Sequence, residues 1–229
     1  MIQSNSANVG AVILAAGSSS RMGTPKQTLQ FQGSSLLRRA TLAALGATCH
    51  PVVVVTGAYA ELCRRELGGL DLREAFNANW QTGMASSVRV GIEGLVSIDA
   101  GVAAAVLLLC DQPHVTSDVI VNLIAAHHAT GRPVIASAYD GSFGVPALFS
   151  RTLFSELMQL EGMAGAKEII KRHASEAHFL PFPEGGVDVD TPHDFSCLKM
   201  VKSLKRYMET PNVEKDEKVN VEIGDSARR

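Results

Sequence analysis

The sequence predicts a three-layer α/β/α protein built on one Rossmann-like, mostly parallel sheet. Three observations carry that expectation. Short, continuously apolar runs recur, of the kind buried on both faces of a sheet. Between them lie stretches with apolar residues at helical spacing, which is the alternation that builds covered parallel sheets. Small and polar clusters follow several of the apolar runs directly, at the strand ends where such sheets bind ligands.

The elements follow in order. Residues 11–15 form a buried strand; residues 34–45 form a helix with Leu36, Leu37, Ala40, Ala44 and Leu45 on one face and Gly46 as its stop. Residues 51–56 (PVVVVT) are a second strand and 60–67 a second helix. A third helix spans 84–95, opening on the small residues TGMASS, and a third strand spans 103–109, running straight into Cys110-Asp111-Gln112-Pro113. Residues 116–128 read as a helix capped by Thr116 or Ser117, 133–138 as a strand, and 146–149 as a short strand before residues 150–160. The domain is expected to fill residues 1–200. Residues 201–229 are expected to form a charged tail, helical and then disordered, because large apolar groups become scarce after Met208.

Composition excludes several roles. The 229 residues are 46% hydrophobic, enough for one α/β core with little left for a second. A net charge of −2 and a pI near 6.4 give no global field for nucleic acid or an anionic membrane, so any anion site must be local. Cys49, Cys63, Cys110 and Cys197 form no C-x-x-C pair and read as buried thiols of a reducing compartment. The first ten residues lack a signal-peptide layout, and the longest apolar run, residues 102–110, is too short to cross a bilayer. A soluble, cytoplasmic protein is expected.

The stretch VILAAGSSSRMGTPK, residues 12–26, holds the most chemistry. It is not a dinucleotide loop. Gly17 and Gly23 are wrongly spaced, and the first acidic residue of the chain is Glu61, so nothing is placed to bind a ribose in that manner. Nor is it a P-loop, since Thr24 and Pro25 separate Gly23 from Lys26, and Gln27 stands where a hydroxyl is needed. What is left is a loop with two cations, Arg21 and Lys26, and small residues that allow close backbone approach. Such a loop either cradles a polyphosphate or is a plain turn with solvated charges.

LAAGSSSRMGTPKQ resembles the signature L-A-A-G-x-S-x-R-M-G-x-x-K of the MobA-like nucleotidyltransferases, and within them the molybdenum cofactor cytidylyltransferases. The likeness extends through TGMASSVRVGI (82–92), LLLCDQP (107–113), FGVPALF (143–149) and DVDTPHDF (188–195), in the family's order over residues 10–200. It implies a nucleotide-diphospho-sugar transferase-like fold and Mg2+-dependent transfer of CMP from CTP to the phosphate of molybdopterin. A molybdoenzyme that receives the product is the implied protein partner. The alternatives are the same chemistry with GTP or another phosphorylated acceptor, and a non-catalytic nucleotide- or cofactor-binding protein.

The resemblance also implies roles. Arg21 and Lys26 meet the triphosphate, and Asp111 ligates the metal as a catalytic group, with Asp190 favoured over Asp188 as the second carboxylate. Leu14, Ala15, Ala16, Gly17, Ser18 and Ser20 line the base and α-phosphate, and the Ala16 methyl narrows the pocket toward a pyrimidine. Gly83, Ser86 and Ser87 approach the phosphates from a helix start, and Gln112 and Pro113 flank Asp111. Gly144 and Pro146 mark the acceptor side. Trp80, the one tryptophan, reads as a core ring rather than a stacking platform. One departure stands out: relatives carry G-D-x-G-A-R where this chain has GMAGAK, with Met163 for the acid and Lys167 for the arginine.

Overall fold

Continuously apolar strands need cover on both sides, and the chain provides it. The computed structural model describes residues 8–209. The first half runs through β1 (Val9–Leu14), a small ribbon of β2 (Gln30–Phe31) and β3 (Ser34–Ser35), and α1 (Leu36–Gly46). It continues with β4 (Val52–Thr56), α2 (Ala60–Leu67), β5 (Arg73–Phe76), α3 (Met84–Ile98) and β6 (Ala104–Leu109). The second half comprises α4 (Ser117–Thr130), β7 (Val134–Tyr139), β8 (Ser142–Ser150), α5 (Phe154–Met158), α6 (Ala166–Arg172), β9 (Ala177–Pro181) and α7 (Pro192–Glu209). Residues 210–229, most of the expected tail, lie outside the described residues.

Seven strands form one sheet in the order β5-β4-β1-β6-β8-β7-β9, with β8 antiparallel to both neighbours and the other pairings parallel. Strand periodicity divides the side chains between two cores. Ala11, Ile13, Val52, Val54, Val106 and Leu108 face α1, α2 and α4, whose Leu37, Ala40, Cys63, Leu67, Ile120 and Leu123 fill that layer. Val12, Val53, Val55, Ala105 and Leu107 face α3, α5 and α6 through Val88, Ile92, Leu95, Leu157 and Ile169. Every residue of β1, β4 and β7 up to Ser137 is buried, which accounts for their unbroken apolar sequences. The three-layer fold read from the sequence is the one observed.

Beyond the short β2–β3 ribbon, whose second strand takes the start of the helix expected over 34–45, three elements of the main layers were not anticipated: α6 and the strands β5 and β9. The two strands sit at the sheet's edges, where part of each is exposed, so REAF and AHFLP carry polar residues and lack the apolar signature of a central strand. The short strand expected at 146–149 is the second arm of a longer hairpin. Its turn, Asp140-Gly141, has φ of 49° and 67°, the left-handed pair that a two-residue hairpin loop needs, and D-G is its sequence signal. The closing helix begins at Pro192, before residue 201 where the helical part of the tail is expected to start. Thr116 caps α4 as expected, accepting from the Val119 N–H at 3.4 Å. Cys49, Cys63 and Cys110 are buried free thiols, but Cys197 is exposed, on the solvent side of α7.

Helix α3 lies unusually near the sheet. A Cβ at Gly91 would stand 2.3 Å from Val12 Cγ1 and 3.1 Å from Val55 Cγ2. Gly91→Ala is expected to lower unfolding free energy by about 1–2 kcal/mol, overpacking outweighing the helix propensity that alanine adds. Urea denaturation followed by circular dichroism measures this, and unchanged or raised stability would show that β1 yields instead.

Candidate active site

The loop after β1 is held from below before it can hold anything. Ala15 N–H donates to Val55 O (2.9 Å) and Ala58 N–H to Ala16 O (3.0 Å), fastening the strand end to β4 and its following turn. Gln27, 1% exposed, donates from Nε2 to Ala15 O and Gly17 O, both at 2.9 Å. Ser19 takes a left-handed φ of 53°, accepts the Met22 and Gly23 N–H groups on its carbonyl, and accepts the Lys26 N–H on its hydroxyl at 3.1 Å. The Met22, Gly23 and Lys26 amides thus serve the loop's own fold. The same folding carries Lys26 back over the end of the sheet.

There the Lys26 ammonium meets two carboxylates. It donates to Asp111 Oδ2, just past β6, and to Asp190 Oδ1 at 2.9 Å, while Arg21 pairs with Asp190 Oδ2 at 2.8 Å. Burial works against charge on Lys26, yet Asp111 and Asp190 overcome it and hold the ammonium protonated well above the ordinary lysine range. Burial likewise opposes charge on Asp190, but Lys26 and Arg21 keep its carboxyl below the usual value. Asp188 is different: partial desolvation, then the nearby Asp111 and Asp190, push its carboxyl up to about 6. The Cys110 thiol is pushed up by burial and then by Asp111, which removes it as a thiolate nucleophile.

Beside this cluster opens a cavity of about 330 Å³. Leu14, Ala15, Ala16, Gly17, Ser18, Lys26, Gly83, Ser87 and Asp111 line it, as the sequence reading anticipates. Gln27, Trp80, Gln81, Met84, Leu109, Cys110 and Met163 also line it and were not assigned there. Trp80 is half-buried and belongs both to the core and to the cavity wall. Gly83, at φ 117°, passes so near the 159–165 loop that a Cβ would stand 2.2 Å from Gly162 O. Arg89 fixes that loop by donating to Met158 O and Leu160 O, both at 3.0 Å.

Several assigned residues stand elsewhere. Ser86 and Ser87 both receive hydrogen bonds from the buried Asn77 amide, at 2.8 and 3.0 Å, so these hydroxyls help shape the start of α3, and Ser87 alone of the two lines the cavity. Ser20 is exposed on the loop's outer side. Gln112, 5% exposed, ties Val145 O (3.0 Å) to Gly185 O (3.1 Å), and Pro113 O accepts from Arg39 at 3.3 Å. Gly144 is required by Tyr139, whose hydroxyl would lie 2.2 Å from a Cβ there, and Pro146 O accepts from Ser137 at 2.7 Å. In GMAGAK, Met163 is 80% exposed at the cavity mouth, whereas Lys167 turns to Ser142 at 2.8 Å.

The donor set fits a hard divalent cation. Asp111 Oδ1 is buried and has no hydrogen-bond partner among the described residues, and both Asp111 and Asp190 stand close enough to Asp188 to raise its carboxyl, after desolvation. All three offer oxygen, the preference of Mg2+ and Mn2+. Among the described residues no group of three or more His, Cys, Asp and Glu forms a preformed cage, so phosphate and water oxygens would have to complete the coordination. That is the usual arrangement for magnesium bound with a nucleotide.

A strand-end cavity with a lysine, an arginine and aspartates at its rim defines a nucleotide-using transferase of the three-layer α/β class. Residues 11–177 match the MobA-like NTP transferase domain family, and the chain belongs to it; it is a nucleotidyltransferase. The purine catabolism protein PucB of Bacillus subtilis (strain 168) is 28% identical over 204 residues, 84% of this chain and 96% of that protein. Nicotine blue oxidoreductase of Paenarthrobacter nicotinovorans is 32% identical over 144 residues, 62% and 67% of the two chains. Molybdenum cofactor cytidylyltransferase of Escherichia coli (strain K12) is 24% identical over 202 residues, 88% and 98%. The crystal structure of Rv0371c from Mycobacterium tuberculosis H37Rv in complex with manganese superposes with a TM-score of 0.64 at 28% identity, covering 83% of this chain and 97% of that one.

The two aspartates flanking Val189 titrate with opposite consequences. The depressed Asp190 carboxyl stabilises the fold above its unfolded value of 3.8, and that stability is lost as pH falls through the folded value. The raised Asp188 carboxyl does the reverse: stability falls as pH climbs from 3.8 to about 6. At neutral pH without divalent metal, Asp190→Asn is expected to lower the urea midpoint and Asp188→Asn to raise it. Shifts of the same sign would contradict this electrostatic picture.

Proposed function

We propose that the chain is a magnesium-dependent cytidylyltransferase, transferring CMP from CTP to the phosphate of a molybdopterin-type cofactor with release of pyrophosphate. The observation that carries the reading is the convergence of Lys26, Arg21, Asp111 and Asp190 at the rim of a cavity walled by Ala15–Ser18. The cavity holds the nucleoside, its apolar wall of Leu14, Ala16 and Trp80 taking the base and its rim the triphosphate. Ala16, 4% exposed and packed near Gly57, puts a methyl in that wall, which favours the smaller pyrimidine ring.

In the reaction an oxygen of the acceptor phosphate forms a bond to the α-phosphorus of CTP as the α–β bridging bond breaks and pyrophosphate leaves. No general base is needed, because a phosphate monoester with a second pKa of about 6 is already mostly dianionic at neutral pH. Asp111, with Asp190 or Asp188, would hold the magnesium ion, which would supply charge neutralisation on the triphosphate. Lys26 and Arg21 neutralise charge that builds on the α- and β-phosphate oxygens, and the Gln27-braced loop keeps Lys26 in position. A different phosphorylated acceptor is the second reading: Met163 stands at the mouth where relatives carry an acid, and Lys167 is turned toward Ser142.

Pyrophosphate release, measured with CTP, GTP and ATP in Mg2+ and a molybdopterin acceptor, tests both. CTP should be consumed fastest; clear preference for GTP overturns the base assignment. Lys26→Met should lower kcat/KM by about 10²–10³-fold, as loss of one preorganised donor does elsewhere. Asp111→Ala should abolish turnover, and release equal to wild type would remove the metal assignment.

A further inference from the structure

Asp188 and Asp190 lie beyond residues 11–177, the span that matches the family, and contacts from both inside and outside that span place them. Asp188 and Asp190 flank Val189, whose side chain is 0% exposed. Val189 belongs to neither face of the sheet. It sits in a third, small apolar cluster with Met22, Phe31, Leu36 and Leu198, against which Leu29 and Phe195 pack. None of these residues lines the cavity; they connect the segments that carry its charged groups. Met22 follows Arg21, Phe31 and Leu36 bracket the ribbon after Lys26, and Phe195 and Leu198 come from α7.

The start of α7 is joined to the aspartates by hydrogen bonds. Asp194 Oδ2 accepts the Thr191 N–H at 2.8 Å and the Asp190 N–H at 3.2 Å, while Thr191 Oγ1 accepts the Asp194 N–H at 3.2 Å. This is a reciprocal cap with Pro192 at the first helical position, so the backbone of Asp190 cannot move independently of the helix. On the other side, Val189 N–H donates to Asp111 O at 3.0 Å, tying the segment to the end of β6.

We infer that Leu198, with Val189, is a positioning residue: through the third cluster, α7 clamps the Arg21–Lys26 loop to the Asp188–Asp190 segment and so sets the geometry in which cations and carboxylates meet. Leu198 is 6% exposed and does not line the cavity. Its effect is carried by Val189 and Met22, each one residue from a charged group. Outer residues that orient ligating side chains commonly change metal affinity or activity by about 10–100-fold when altered.

The inference rests on the proposed function for its binding consequence but not for its geometry, and two readouts separate them. In Leu198→Ala, hydrogen exchange at the Val189 and Met22 amides should accelerate by tenfold or more while the amides of Ile13 and Val54 keep wild-type protection. Mn2+ affinity, followed by the paramagnetic resonance signal of free Mn2+ with CTP present, should weaken about tenfold or more. Met200→Ala, on the exposed side of the same helix, should change neither. Leu198→Met should restore both. Wild-type protection at Val189 and Met22 in Leu198→Ala overturns the clamp; so does global unfolding of both Leu198→Ala and the milder Leu198→Val, which would make the cluster part of the main fold. Wild type that binds neither Mn2+ nor CTP would bring down the functional reading alone, leaving the exchange data to decide the clamp.

Discussion

A single ammonium joins three distant parts of the chain. Lys26 reaches Asp111 across 85 positions and Asp190 across 164, and the site exists only where these meet. Each group is costly alone. A half-buried lysine resists charge, and two carboxylates a few ångströms apart repel, so each is tolerable because of the others. Asp188, which has no ion pair of its own among the described residues, is pushed up to about 6 by partial desolvation first and then by the nearby Asp111 and Asp190.

The parallel sheet is what makes this meeting possible. β1 and β6 are neighbours in register from Val9↔Ala104 to Leu14↔Leu109, so their C-terminal ends deliver the glycine–serine loop and Asp111 side by side. β8 then reverses direction, and its hairpin with β7 sends the chain through β9 and back across the same end of the sheet. The segment carrying Asp188 and Asp190 arrives by that route. The acids thus come from separate parts of the fold's path, one from the end of a central strand and two from the return after an edge strand.

What the sequence made legible follows the same division. Central strands announce themselves because burial on both faces leaves only apolar residues, and the residues directly after β1 and β6 could be placed on that ground. Edge strands could not, because REAF and AHFLP bury too little to impose a pattern; α6 does bury Ala166, Ile169 and Ile170 at helical spacing, but over a run of only seven residues. Nor could local hydrogen-bond competition be read. Asn77 is an unremarkable asparagine in the sequence, yet it engages both Ser86 and Ser87. Gln27 looked like a missing P-loop hydroxyl and is instead the brace under Ala15 and Gly17. The hairpin at Asp140-Gly141 did have a legible signal, and a longer β8 could have been drawn from it.

The charge inventory of the site bears on how substrate enters. Arg21 and Lys26 are already engaged by Asp111 and Asp190, so the rim offers little net positive charge to an incoming polyanion. The whole chain, at −2, offers none. Under the proposed function, then, a triphosphate could be held only if further positive charge arrived with it, and the orphaned Asp111 Oδ1 is where a divalent ion would find its protein oxygen. Under that reading Asp111 and Asp190 would exchange Lys26 for the metal, which would leave the ammonium free for phosphate. The ion pair that holds the site together without ligand is therefore also the interaction that must be partly given up for the ligand to bind. This is why the loop beneath it has to be braced independently by Gln27 and the third apolar cluster.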